Sequence, residues 1–79
     1  GKNFHIIVGV FNERDNAIKL KNQLEHQGLN PEFIPRLEYN MVAVSYTSFD
    51  DIHSAFNYLS KVREQVHEDA WVLYYKDKE

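Results

Sequence analysis

The sequence predicts an α+β fold in the order βαββαβ, a four-stranded antiparallel sheet with two helices on one face. Three observations predict it. Four short runs rich in Ile, Val, Tyr and Phe alternate with two stretches of helical apolar spacing. The two halves of the chain repeat one another: at one constant offset Ile6 superposes on Val44, Val8 on Tyr46, Phe11 on Phe49, Ala17 on Ala55, Ile18 on Phe56 and Leu24 on Val62. Each half is a βαβ unit that leaves a sheet face and a helix stripe uncovered, so two copies bury together what one cannot. Right-handed crossovers then place both helices on the same side, which is the ferredoxin-like arrangement. The length of 79 residues fits one such domain, residues 1–79, and excludes two. From a leading Gly1 only three residues ahead of a hydrophobic strand, the chain is expected to be a fragment of a longer protein.

Phe4 to Phe11 is short, apolar and β-branched, with a single His, and is expected to be a buried central strand. Asn12 is expected to cap the following helix by accepting from the Asp15 amide, with Glu13 and Asp15 complementing the positive helix end. Ala17, Leu20 and Leu24 form its inner stripe with Ile18 beside them, and Gly28 followed by Pro31 ends it. Asn30 to Pro35 is read as an edge strand, because proline cannot donate to a ladder. Arg36 to Asn40 reads as a polar connection and Met41 to Tyr46 as the third strand. Ser48 with Asp51 resembles a capping box ahead of a helix whose apolar positions are Ile52, Ala55, Phe56, Leu59, Val62 and Val66. Ala70 to Tyr75 closes the sheet, and Lys76 to Glu79 is a charged tail.

Composition narrows the function classes. Hydrophobic residues at 43% and charged residues at 27% are ordinary for a folded domain. Nine basic against twelve acidic residues give a net charge of −3 without a basic run, which argues against a nucleic-acid partner. The longest apolar run, Ile6 to Phe11, is far short of the ~20 residues that cross a bilayer, so no membrane insertion by this domain is expected. Cysteine is absent, which excludes disulfides, thiolate metal sites and Cys nucleophiles and leaves the redox compartment open.

Motifs for chemistry are sparse. Glu64 and His67 have the spacing of half a carboxylate metal site, but the first helix has no matching half. Asp50 and Asp51 fit a helix start better than a catalytic pair. His5, His26, His53 and His67 have no close ligand spacing, no glycine-rich phosphate loop occurs, and the serines lack a base with an orienting acid. No enzyme, no cofactor and no metal are expected. An RNA-binding sheet would carry aromatics on the two central strands with basic residues around them, and Ile7, Met41, Ala43 and Ser45 stand there instead.

Function is therefore expected on the sheet face away from the helices. Alternation with Ile6 and Val8 inward sends His5, Ile7 and Gly9 to that face. On the third strand it sends Met41, Ala43 and Ser45 there, and on the last strand Trp71 and Leu73. The expected binding residues are His5, Ile7, Met41, Ala43, Ser45, Trp71 and Leu73, a contiguous apolar surface of the kind that marks interaction sites.

Several stretches carry a family resemblance over nearly the whole chain. Phe4-His5-Ile6-Ile7-Val8-Gly9-Val10-Phe11 is like an aromatic-x-V-x-V-G-small-F opening strand. Ala17, Leu20 and Leu24 with Gly28 are like an A-x-x-L-x-x-x-L helix and its glycine, and Val44 to Phe49 is like a V-S-Y-G-S-F segment. Together with Ala55 and the closing Asp69-Ala70-Trp71-Val72-Leu73, these resemble the SPOR (sporulation-related repeat) family. That resemblance implies a βαββαβ fold, binding to peptidoglycan glycan strands stripped of their peptide stems, and a periplasmic, cell-envelope location in division or wall remodelling. Ile7, Val10 and Ala43 stand where many glycan-binding members carry Gln, Ser and Arg, and Thr47 replaces the family's second Gly. Loss of those polar handles keeps a rival expectation alive, a protein-interaction or self-association module, with a protein partner or homodimer on the apolar face. Sugar stacking on Trp71, dispersion contact from Met41 and hydrogen bonds from His5 and Ser45 are the expected means of glycan binding.

Overall fold

A computed structural model describes residues 2–36 and 39–76. The elements are β1 (Phe4–Phe11), α1 (Arg14–His26), β2 (Glu32–Arg36), β3 (Met41–Phe49), α2 (Ile52–Gln65) and β4 (Trp71–Tyr74). The strands form one antiparallel sheet in the order β2-β3-β1-β4, the α+β ferredoxin-like topology that the repeat predicts, with β2 at an edge.

Both helices pack on the same face. Ile6, Val8 and Val44 from the sheet, Ala17 and Leu24 from α1, Leu59 and Val62 from α2, and Ala70 form one buried cluster. Phe11, Phe33, Tyr46, Phe49 and Tyr58 close its margins. The α2 stripe is narrower than its spacing implies. Ala55, Leu59 and Val62 are buried, whereas Ile52, Phe56 and Val66 are exposed, as is Ile18 on α1. Phe56 follows Ala55 by about 100° around the helix, enough to swing it off the buried line of a helix lying on a flat sheet.

The helix ends differ from the sequence reading. Glu13, not Asn12, is the N-cap residue of α1, and its side chain makes no capping bond; its carbonyl accepts from the Asn16 amide at 3.2 Å. At α2, β3 runs on to Phe49, so Ser48 is a strand residue and Asp51 is the cap. Asp51 accepts from the Ser54 amide at 2.9 Å and the Ser54 hydroxyl at 2.7 Å, and these bonds hold its carboxyl below the usual carboxylate range. Gly28 has φ 85, the left-handed conformation that ends helices, and its amide donates to the Glu25 carbonyl.

Two opposed irregularities set the register of the central pair. Ile6 pairs with Thr47, Ile7 with Ser45 and Gly9 with Val44, so an extra residue on β3 at Tyr46 is followed by one on β1 at Val8. The two cancel, and the strand ends stay in step. Gly9 consequently faces α1 rather than the open face: a Cβ there would lie 2.8 Å from the Phe11 ring and 3.1 Å from Leu20. The close approach of α1 thus needs glycine at this position, and Val10 takes the outward place.

Candidate functional site

Cross-strand pairing defines the face opposite the helices. Ile7 pairs with Ser45 and Trp71, His5 with Leu73, Ile34 with Ala43, and Arg36 with Met41. All seven residues singled out from the sequence lie on this one face. They do not share one environment. His5, Ile7, Ala43 and Ser45 are at most 2% exposed, Met41 and Leu73 are half-buried, and Trp71 is 37% exposed.

The middle of the face is filled by its own side chains. Ile7, Ile34 and Ala43 form a second small core, with Leu73 and Tyr75 packed against it. Tyr75 is tied down by its amide, which donates to the Asn3 carbonyl at 2.8 Å, and its ring stands edge-on to His5 with 6.3 Å between centroids. The contiguous apolar surface expected from alternation is therefore closed over its centre.

The two polar groups expected to meet sugar hydroxyls meet each other instead. His5 Nδ1 lies 3.0 Å from Ser45 Oγ, and Ser45 Oγ donates to the Thr47 carbonyl at 3.1 Å. A hydroxyl has one hydrogen, and the Thr47 carbonyl takes it, so His5 Nδ1 is the donor to Ser45. Both side chains are satisfied within the fold, and their bond ties β1 to β3.

Exposure returns at the end of the face where β1 continues past β4. Val10, Trp71 and Tyr39 are exposed there, and Met41 and Arg36 are half-buried. The Arg36 guanidinium carbon lies 5.7 Å from the centre of the Tyr39 ring and 5.9 Å from that of Trp71. Arg36 rises from one edge strand and Trp71 from the other, so their side chains meet above the central strands. Two clefts flank this end. One, of about 370 Å³, is lined by Phe11, Asn12, Arg14, Phe33, Pro35, Asn40, Met41 and Val42. The other, also about 370 Å³, runs along β1 from Ile7 to Phe11 and is walled by His67, Asp69 and Trp71. They share Phe11, and Met41 lines the first and Trp71 the second.

Arg36 and Tyr39 are the functional candidates that sequence reasoning missed. The segment Arg36 to Asn40 read as a polar connection, yet Arg36 is the last residue of β2, paired with Met41. The outward alternation of Ile34 and Arg36 was the signal available. The weaker motifs take structural roles: Asp51 caps α2, and His67 Nδ1 accepts from the Asp69 amide at 3.1 Å in the turn before β4. Among the described residues no three His, Cys, Asp or Glu side chains gather into a group that could hold a metal ion.

A family model for the SPOR domain matches residues 1–74. The chain belongs to the SPOR domain family. Members of this family are generally peptidoglycan-binding modules of cell-envelope proteins, a binding family and not a catalytic one. Searches of curated proteins and of solved structures find no match. Among the described residues of this SPOR domain, no helix is long and apolar enough to cross a membrane.

Proposed function

We propose that this SPOR domain is a non-catalytic module that binds peptide-stripped glycan strands of peptidoglycan and so recruits its parent protein to the cell wall on the periplasmic side. The observation that carries this reading is the exposed Trp71 ring beside Arg36 and Tyr39 at the end of the face, with Trp71 lining one cleft and Met41 another. A pyranose ring has one face of C–H bonds that packs on an aromatic ring and a rim of hydroxyls that needs polar partners. Trp71, Tyr39 and Met41 supply the first, and Arg36, Asn12 and Asn40 supply the second. Clefts on both sides of Phe11 suit an extended polymer rather than a compact ligand. Among the seven expected residues, Met41 and Trp71 contribute contact surface, while His5, Ile7, Ala43, Ser45 and Leu73 hold the platform in shape.

Self-association through this face has less support, since it needs contiguous exposed apolar area and Ile7, Ile34 and Ala43 are buried. Retention on sacculi tests the glycan reading. Wild type is expected to be retained on amidase-treated peptidoglycan more strongly than on intact peptidoglycan, with retention lost in Trp71→Ala and Met41→Glu. No retention on either material would overturn it, and a concentration-dependent dimer by sedimentation would favour self-association.

A further inference from the structure

β1 is a central strand for only half of its length. β4 pairs with Phe4 to Ile7, and among the described residues no strand stands beside Val8 to Phe11 on that side. The direction of the backbone groups there follows from the pairing. Pro35 has no N–H, so its pair with Val42 does not exchange hydrogen bonds, and in an antiparallel ladder the adjacent pair, Ile34 with Ala43, then does. Ala43 therefore turns its amide and carbonyl toward β2, and Val10, opposite Ala43, turns its own away from β3 to the uncovered edge. The other end of β1 gives the same result. The Tyr75 amide donates to the Asn3 carbonyl, which makes His5 with Leu73 and Ile7 with Trp71 bonded pairs, and Val10 lies on the same face as His5 and Ile7.

The uncovered edge is also a groove. The cleft of about 370 Å³ beside it is lined by five consecutive residues, Ile7 to Phe11, so it runs along a backbone, with His67, Asp69 and Trp71 as its far wall. Its charge has one sign. Asp69 supplies a carboxylate and Glu68 next to it is exposed, whereas among the described residues no Lys or Arg lines the cleft. His67 Nδ1 accepts from the Asp69 amide, so its proton is on Nε2 and the ring is neutral. Val10 and Trp71, both exposed, add apolar surface.

We infer that this edge of β1 takes up an extended, basic segment of a partner protein, which continues the line of β4 and adds a short strand to the sheet. Main-chain bonds to Val10 hold the segment, and the groove sorts its alternate side chains, a lysine or arginine toward Asp69 and an apolar one beside Val10 and Trp71. Val8 to Phe11 span about 13 Å at the strand rise, room for a partner strand of similar length. The inference goes beyond the glycan reading and does not rest on it. Main-chain groups at strand spacing are matched by another strand, whereas the hydroxyls of a sugar follow no such repeat.

NMR of the 79-residue domain with defined peptides tests the inference. The probe is Ac-Lys-Val-Lys-Val-Lys-NH2, titrated beside Ac-Glu-Val-Glu-Val-Glu-NH2 and two N-methylated forms of the lysine peptide, one methylated at every valine nitrogen and one at every lysine nitrogen. An added strand turns one set of its amides to β1 and the other to solvent. One methylated form should therefore bind about tenfold or more weakly than the parent, and the other should bind like it. The lysine peptide should slow hydrogen exchange of the Val10 amide, and the glutamate peptide should bind about tenfold or more weakly. Asp69→Asn should narrow that gap between the two peptides, and Asp50→Asn, which removes the same charge ahead of α2, should leave it unchanged. Equal binding of the two methylated forms, an unprotected Val10 amide at saturation, or a charge gap untouched by Asp69→Asn overturns the inference, as does absence of binding by the lysine peptide. None of these outcomes involves sugar, so each leaves the glycan reading to be decided by retention on sacculi.

Discussion

Two regions of one sheet face behave as opposites. Around Ile7, alternation sends apolar and small side chains outward, and they are sealed under Leu73 and Tyr75 as a second core. One end of the same face, built on the same alternation, leaves Val10 and Trp71 exposed, with Arg36 laid between aromatic rings. The difference comes from the edges. Beside Ile7 and His5 the sheet has β4 as a neighbour, and the tail beyond it folds Tyr75 back onto the face. Beyond Ile7 β4 pairs no further, and among the described residues no strand pairs with β1 from Val8 to Phe11 on that side. An outward direction is thus a property of one strand, whereas exposure is decided by what the neighbouring strands carry.

Substitutions in the two regions should separate stability from binding. The largest effect is expected from Ile7→Ala, which opens a hole in the sealed region; urea unfolding should show a loss of about 2–5 kcal/mol. Unchanged stability would mean that the second core holds nothing together. Next comes Ser45→Ala, which leaves the His5 Nδ1–H buried without its acceptor and should cost about 1–3 kcal/mol in the same assay, with glycan affinity of the folded protein unaltered. A specific loss of affinity would return Ser45 to the contact surface. Trp71→Ala should do the reverse. Its half-open ring contributes little to the core, so the unfolding midpoint moves less than for Ile7→Ala, while affinity for stripped glycan falls about tenfold or more.

The smallest effect is expected in the helix layer, far from either region. Bonds to Ser54 lower the folded-state pKa of Asp51, so its ionised form favours the folded state. That contribution is complete above the ordinary carboxylate pKa and disappears as pH falls through the lowered value. Wild type should therefore melt above Asp51→Ala at neutral pH, and the gap should close in acid. A gap that persists below the carboxylate range would show that the cap does not depend on charge.

Much of the fold was legible because two independent signals agreed. The repeat that relates Ile6 to Val44 and Leu24 to Val62 fixed the order of elements, and apolar spacing fixed their kinds. What strict alternation could not supply was the paired irregularity at Val8 and Tyr46, because it arises between two strands and leaves no mark on either one. Gly9 was assigned to the wrong face for that reason. The candidate face was legible in direction, as Ala70 and Val72 inward with Trp71 outward shows, and illegible in depth. Burial of His5 with Ser45 depends on Tyr75, Leu73 and the register together. Arg36 was passed over because a cation beside a polar turn looks like a solvated connection until Trp71, from the far edge strand, is seen against it.

Glycan is expected to meet the exposed end of the face and not its sealed middle. Backbone and side-chain chemical-shift mapping of the domain, titrated with stem-free glycan tetrasaccharide, tests it most directly. The largest shifts are expected at Val10, Arg36, Tyr39, Met41 and the Trp71 indole, with small ones at His5, Ile34 and Ser45. Shifts centred on His5 and Ser45, or spread over the exposed helix residues Ile52 and Phe56, would contradict it.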